Sequence, residues 1–325
     1  MNVTEIALGM VAGLALFLYG VSRLATGMRA VAGDRMRQLL ARATTNRFAG
    51  VVTGTVATAV LDSSSVTIIM VIALVDAGLL SFVQSMGVIL GANIGTTVSS
   101  QLIALDVERY SPLVLAAGLV VHVAGRTETW RHAGAAIFGM GLIFFGLGQM
   151  GTAVEPLKES ARFAEWMVRL ESPLIGVVAG ALTTLVLQSS SATVGIVITL
   201  ASQGLIGLPA GVAVMLGAEI GACADTLVAT VGRSRDALRA GVFHLLFNVL
   251  AVAGGIVLLQ PLVALSVAMG GDVARQVANA HVAFNVAGVI VVVLVLTPIA
   301  RALDRLIPSP STLRPAGAGV TLPAT

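Results

Sequence analysis

The sequence predicts an all-α, polytopic membrane protein with an internal duplication, and three observations lead there. Of its 325 residues, 57% are hydrophobic and only 11% are charged, against about a quarter charged in ordinary soluble domains. Long stretches carry no charge at all, and a serine-rich polar motif that interrupts one apolar run recurs in another. The mean hydropathy is +0.97. Thirty-six glycines and few aromatic residues suit helices packed closely in lipid better than a soluble core. A transmembrane β-barrel would alternate apolar and polar residues in segments of about ten, and this chain does not.

A crossing helix needs roughly 20 apolar residues. Charge-free windows at 77–105, 133–154, 240–271 and 276–300 meet that length. Shorter candidates lie at 6–22 and 110–125, and 172–218 is longer than one element can use. Glu5, with no basic residue before the first apolar run, argues against a cleaved signal peptide. Arg23, Arg29, Arg35, Arg37, Arg42 and Arg47 mark a first cytoplasmic connection, and Arg233, Arg235 and Arg239 a second. Arg301, Arg305 and Arg314 place the C-terminus inside. All these arginines read as solvated or headgroup-facing anchors. The segment 155–171, charged around Phe163, Trp166 and Leu170, reads as an interfacial helix. The proline- and glycine-containing tail after Ile307 has no periodic apolar face and reads as disordered. A single cysteine, Cys223, excludes an intrachain disulfide or a cysteine metal cluster. The scattered basic residues give no sign of nucleic-acid binding.

The two halves align without a gap at an offset of 126 residues: GVVTGTVATAVLDSSSVT from Gly50 matches GVVAGALTTLVLQSSSAT from Gly176. VILGANIGTT from Val88 matches VMLGAEIGAC from Val214, and the same offset pairs Gly13 with Gly139 and Gly20 with Gly146. The chain accordingly divides into a first transmembrane repeat (1–125), a second (126–262), an additional transmembrane helix (263–307) and a tail (308–325).

LDSSS and LQSSS interrupt their apolar runs so that each arm reaches only about halfway through the hydrocarbon. Two readings fit, a re-entrant helical hairpin or one full helix with a polar belt. Hairpins give each repeat three crossings and hence inverted repeats; full helices give parallel ones. The charge distribution leans to hairpins, because they place the acidic 155–171 segment outside and Arg126 and Arg131 inside. If the chain turns at Ser63, Ser64 and Ser65, and again at Ser189, Ser190 and Ser191, hydroxyls and helix N-termini converge as a receptor for a small oxyanion. Thr67 and Thr193 follow the serines.

Gly91 and Gly95, like Gly217 and Gly221, form GxxxG packing faces. Asn93, Thr96, Thr97 and Ser100 in one repeat, and Glu219, Asp225 and Thr226 in the other, are the associated oxygen donors. Asp62 and Glu219 are functional candidates because an intramembrane carboxylate is costly; each would neutralise a sodium ion or carry a proton. Asp76 and Asp225 read as interfacial. His244 with Asn248, and His281 with Asn285, read as an interhelical hydrogen-bond network, with no carboxylate placed to orient either histidine.

The doubled serine motif, GANIGTT and the HxxFN-type pairs together resemble the sodium/phosphate cotransporter family, over about residues 5–300. The resemblance implies inverted repeats, each with a re-entrant hairpin whose QSSS tip binds phosphate with sodium nearby. It also implies alternating access in the bacterial plasma (inner) membrane, and no enzymatic activity or cofactor beyond the coupling ion. Gln188, Ser189, Ser190 and Ser191 match the tip in full. Ser63, Ser64 and Ser65 match the other, with Asp62 where glutamine is usual. Asn93, Thr96 and Thr97 match the glycine-rich helix, whereas Glu219, Ala222 and Cys223 depart from it. The expected sodium ligands are Asp62, Thr67, Asn93, Thr96, Thr97, Thr193 and Glu219, the two carboxylates among them from their intramembrane position and not from the resemblance. Some relatives add a soluble domain resembling a phosphate-signalling regulator, for which this length leaves no room; a separate regulator and a homodimer are the corresponding partners. The departures leave other readings open: another small anion, proton coupling, a passive anion channel, or an intramembrane serine hydrolase.

Overall fold

The computed structural model describes residues 3–308 apart from 43 and 106–107, and these residues are helical almost throughout. The first half contains α1 (Val3–Arg42), α2 (Arg47–Leu61), α3 (Ser64–Asp76), α4 (Phe82–Ile103) and α5 (Ser111–Ala124). The second contains α6 (Glu128–Val154), α7 (Ala161–Arg169), α8 (Pro173–Leu187), α9 (Ser190–Ser202), α10 (Leu208–Gly221), α11 (Cys223–Val228) and α12 (Arg235–Val257). Three more follow: α13 (Leu259–Ala268), α14 (Val273–Leu294) and α15 (Leu296–Leu306). Among the described residues six helical segments are long and apolar enough to cross a membrane, or seven if α7 and α8, bent by 99°, count as one span. The protein is thus an all-α polytopic membrane protein. Its outward faces are apolar, with Val123, Val186 and Val257 72%, 80% and 81% exposed, as a lipid-facing surface requires.

Three expectations change. The arginine-rich stretch after Arg23 is no connection, because α1 continues through it to Arg42. The window 240–271 breaks at Leu258, where α12 ends and the short α13 begins. The additional membrane helix is α14, with the amphipathic α15 after it. The tail from 309, including Arg314, lies outside the described residues. The interfacial expectation for 155–171 corresponds to a short 3-10 turn at Glu155–Glu159 and the amphipathic α7.

Local sequence explains the boundaries. Asn46 caps α2 by accepting from the amides of Phe48 and Ala49, Ser81 and Gln84 form a capping box on α4, and Ser234 caps α12. Gly78 and Gly204, equivalent by the repeat, both sit at φ +69° in the turns after α3 and α9, a region that favours glycine.

Helix contacts repeat between the halves. A Cβ on Gly54 or Gly91 would overlap the carbonyl of Val88 or Val51, binding α2 to α4. Gly180 and Gly217 meet Val214 and Val177 in the same way, binding α8 to α10. Such close backbone approach is what small residues in membrane helices permit. Helices α1 and α6 pack antiparallel through glycine, Gly13 against Gly146 and Gly20 against Gly139.

Candidate ion-binding site

Helix α2 ends because Asp62 adopts the left-handed conformation, φ 52° and ψ 31°, and α8 ends at Gln188 with φ 52° and ψ 30°. Left-handed non-glycine residues cost free energy and collect at functional sites. Here the same strain recurs at both copies of the motif. The next serine then starts a new helix: Ser63 accepts from the Val66 amide at 3.2 Å and Ser189 from the Ala192 amide at 3.1 Å. These N-caps leave the amides of Ser64, Ser65, Ser190 and Ser191 at the N-termini of α3 and α9, without partners inside their helices.

The chain reverses at each tip. Thr58 and Thr67 share a hydroxyl hydrogen bond of 2.9 Å, and Thr184 and Thr193 one of 2.7 Å. Residues nine apart in a continuous helix would be separated by about 13.5 Å along its axis. Hence α2 folds back on α3, and α8 on α9. Thr67 and Thr193 also donate to the carbonyls of Ser63 and Ser189, so both brace their tips from within.

The tips meet. A single cavity of about 520 Å³ is lined by Asp62, Ser63, Ser64 and Ser65 from one and by Gln188, Ser189, Ser190 and Ser191 from the other. Helix α1 forms a further wall through Leu18, Ser22, Ala25 and Arg29, among others. Two 13-residue helices therefore direct N-terminal amides and serine hydroxyls at one volume, where the helix dipoles favour an anion.

A carboxylate touches each side of this arrangement. Asp62 accepts a hydrogen bond from Ser99, a residue that sequence reasoning missed. Its signal was the polar pair Ser99–Ser100 on the glycine-rich helix, one turn beyond the motif. Asp225 accepts from the Thr226 amide at 2.7 Å and lies beside Ser65 of the first tip. Asp76 sits at a helix end, bonded to the Ser234 amide at 2.8 Å and paired with Arg233 at 3.4 Å.

The other expected donors are buried away from the cavity. Asn93, Thr96 and Thr97 donate to the carbonyls of Ile89, Ala92 and Ile94 in their own helix. Glu219 accepts from Nε2 of His281 at 2.7 Å, and Nδ1 of that ring lies 2.9 Å from Ser100 Oγ. This corrects the expectation that no carboxylate orients a histidine. Ser100, His281 and Glu219 have the order of a hydrolase triad, but Ser100 is buried, donates to the Thr97 carbonyl and does not face the cavity. It cannot present a nucleophile to substrate. His244 bonds Thr226 Oγ1 at 2.9 Å, so both histidines tie helices together. Among the described residues no group of three or more His, Cys, Asp or Glu could hold a metal ion.

The profile of the Na+/Pi-cotransporter family matches residues 16–152 and 155–307. The chain belongs to this family. Its family assignment is that of a sodium-coupled phosphate transporter, and its long apolar helices make it a multi-pass membrane protein. It is 29% identical over 292 residues to the uncharacterized protein YqeW of Bacillus subtilis, covering 90% of this chain and 94% of that one. It is 25% identical over 298 residues to YjbB of Escherichia coli K12, named as a proposed inorganic phosphate export protein. A homologous YjbB from Salmonella typhimurium is 24% identical over 301 residues, 92% of this chain. The chain spans about half the length of these YjbB proteins, 54% and 55%. No solved structure matches it.

Proposed function

We propose that the cavity between the tips is the transport site, where Ser63, Ser64, Ser65, Gln188, Ser189, Ser190 and Ser191 hold inorganic phosphate. The observation that carries the reading is that both serine tips line one cavity of about 520 Å³. Asp62 is the site of cation coupling. Its carboxylate accepts from Ser99 beside the cavity, and a sodium ion there would cancel the charge that otherwise repels phosphate. Thr67 and Thr193 set the curvature of the tips on which a cation would sit. Asn93, Thr96, Thr97 and Glu219 act one layer further out, holding the glycine-rich helices against them.

In this reading the two halves are inverted repeats, each with a re-entrant hairpin, with boundaries at 1–125, 126–262 and 263–307. Support comes from α1 and α6, which are equivalent in sequence yet antiparallel. It comes also from arms of 15 and 13 residues in both copies, about 20 Å each and too short to span a hydrocarbon core of about 30 Å. Sodium and phosphate together allow the hairpins to reorient against the α1–α6 scaffold, while partly loaded forms do so poorly.

Labelled-phosphate flux in proteoliposomes with and without an imposed sodium gradient tests the proposal. Gradient-dependent accumulation is expected. Flux indifferent to the gradient would instead indicate a passive channel, a proton-gradient requirement would reassign the coupling ion, and transport of another small anion in preference to phosphate would reassign the cargo.

A further inference from the structure

We propose that Arg29 is a phosphate-binding residue of the cavity, supplying the positive charge that recruits the anion and opposes Asp62. The proposal rests on the phosphate reading above. Leu18, Ser22, Ala25 and Arg29 recur at spacings of four, three and four residues along α1, so they share one helical face, and all four line the cavity that contains the serine tips. Arg29 donates through Nε to the Ala25 carbonyl at 3.1 Å, which draws the side chain back along this lining face and leaves both terminal amino groups of the fork available. Among the described residues no carboxylate pairs with it.

The charges explain what the residue does. Among the described residues, Arg29 and Asp62 are the charged side chains lining this cavity. With Asp62 ionised they cancel, and the cavity offers a divalent anion little. A cation bound at Asp62 leaves the guanidinium uncompensated, and the cavity becomes net positive. Sodium binding is thus converted into phosphate affinity through Arg29, whose planar fork also matches two oxygens of a tetrahedral oxyanion.

The test is titration of inorganic phosphate into the purified protein at saturating sodium in detergent free of anionic lipid. The parent, Arg29→Gln, Arg29→Lys and Ser190→Ala are compared, each with its melting temperature. Arg29→Gln should weaken binding about tenfold or more with an unchanged melting temperature and a flatter dependence on ionic strength. Arg29→Lys should recover part of the affinity, since it keeps the charge and loses the fork. Affinity of Arg29→Gln within twofold of the parent, while Ser190→Ala is weakened, would overturn the role of Arg29 and leave the tip assignment standing. A defect that appears only when anionic lipid is added would overturn it too, in favour of a headgroup ligand. No phosphate binding by the parent would overturn the phosphate reading and this proposal with it.

Discussion

Glu219 and His281 stand 2.7 Å apart in the protein interior, and the other face of the same imidazole meets Ser100. One ring therefore joins α14 to the glycine-rich helices of both halves, α4 and α10. Glu219 is thereby a strut between α10 and α14.

Removing the carboxylate leaves a buried ring nitrogen without its partner, which costs about 1–3 kcal/mol. Glu219→Ala should lower the melting temperature in detergent by several degrees, and Glu219→Gln, which keeps an acceptor, by less. Equal melting temperatures for the parent and Glu219→Ala would contradict the strut.

Ser190 contributes a hydroxyl and an amide to the tip facing the cavity. Ser190→Ala removes the hydroxyl alone and should weaken phosphate binding about tenfold with little loss of stability. Equilibrium binding of labelled phosphate measures it, and an unchanged affinity would remove Ser190 from the site.

Asp62 bears the charge proposed to meet the cation, so Asp62→Asn should alter the sodium or pH dependence of transport more than its anion selectivity. The initial rate is measured across sodium concentrations and pH. Curves superimposable on the parent's would reject the assignment.

The glycine contacts between α8 and α10 leave no room for a side chain: a Cβ on Gly217 would overlap the Val177 carbonyl. Gly217→Val should destabilise by about 1–3 kcal/mol or prevent folding, whereas Gly254→Ala, with nothing within 4 Å of the added methyl, should be neutral or slightly stabilising. Thermal unfolding of the two variants side by side checks this.

The Ser234 amide bonded to Asp76, with the Arg233 guanidinium beside it, holds that carboxyl below its ordinary range. A depressed folded-state value means that the interaction contributes above the unfolded value and is lost as pH falls through the folded one. The parent should therefore exceed Asp76→Asn in stability at neutral pH, and the difference should vanish in acid. A difference that persists at low pH would show that Asp76 acts by something other than its charge.

Much of this architecture is legible in the residues. The offset relating LDSSS to LQSSS anticipates the matching tips, and Gly13 with Gly139 anticipates that α1 and α6 are equivalent. The identity of the tip serines requires only the repeat. What escapes is whatever depends on distance between helices. Nothing in the pattern distinguishes Arg29, which faces the cavity, from Arg35 further along the same helix. Nor does it tell that Glu219 meets His281, 62 residues later, or that Asp225 reaches Ser65 in the other half. Those pairings arise where helices cross, and hydrophobic periodicity specifies a helix's buried face without naming its neighbour.

In the proposed transport site one phosphate ion is gripped from both sides by the duplicated tips. Electron cryomicroscopy of the protein with phosphate and sodium tests it most directly. Tetrahedral density is expected between Ser63–Ser65 and Gln188–Ser191, within hydrogen-bond distance of both. Density contacting only one tip, or lying outside this cavity while the protein remains competent to bind phosphate, would contradict it.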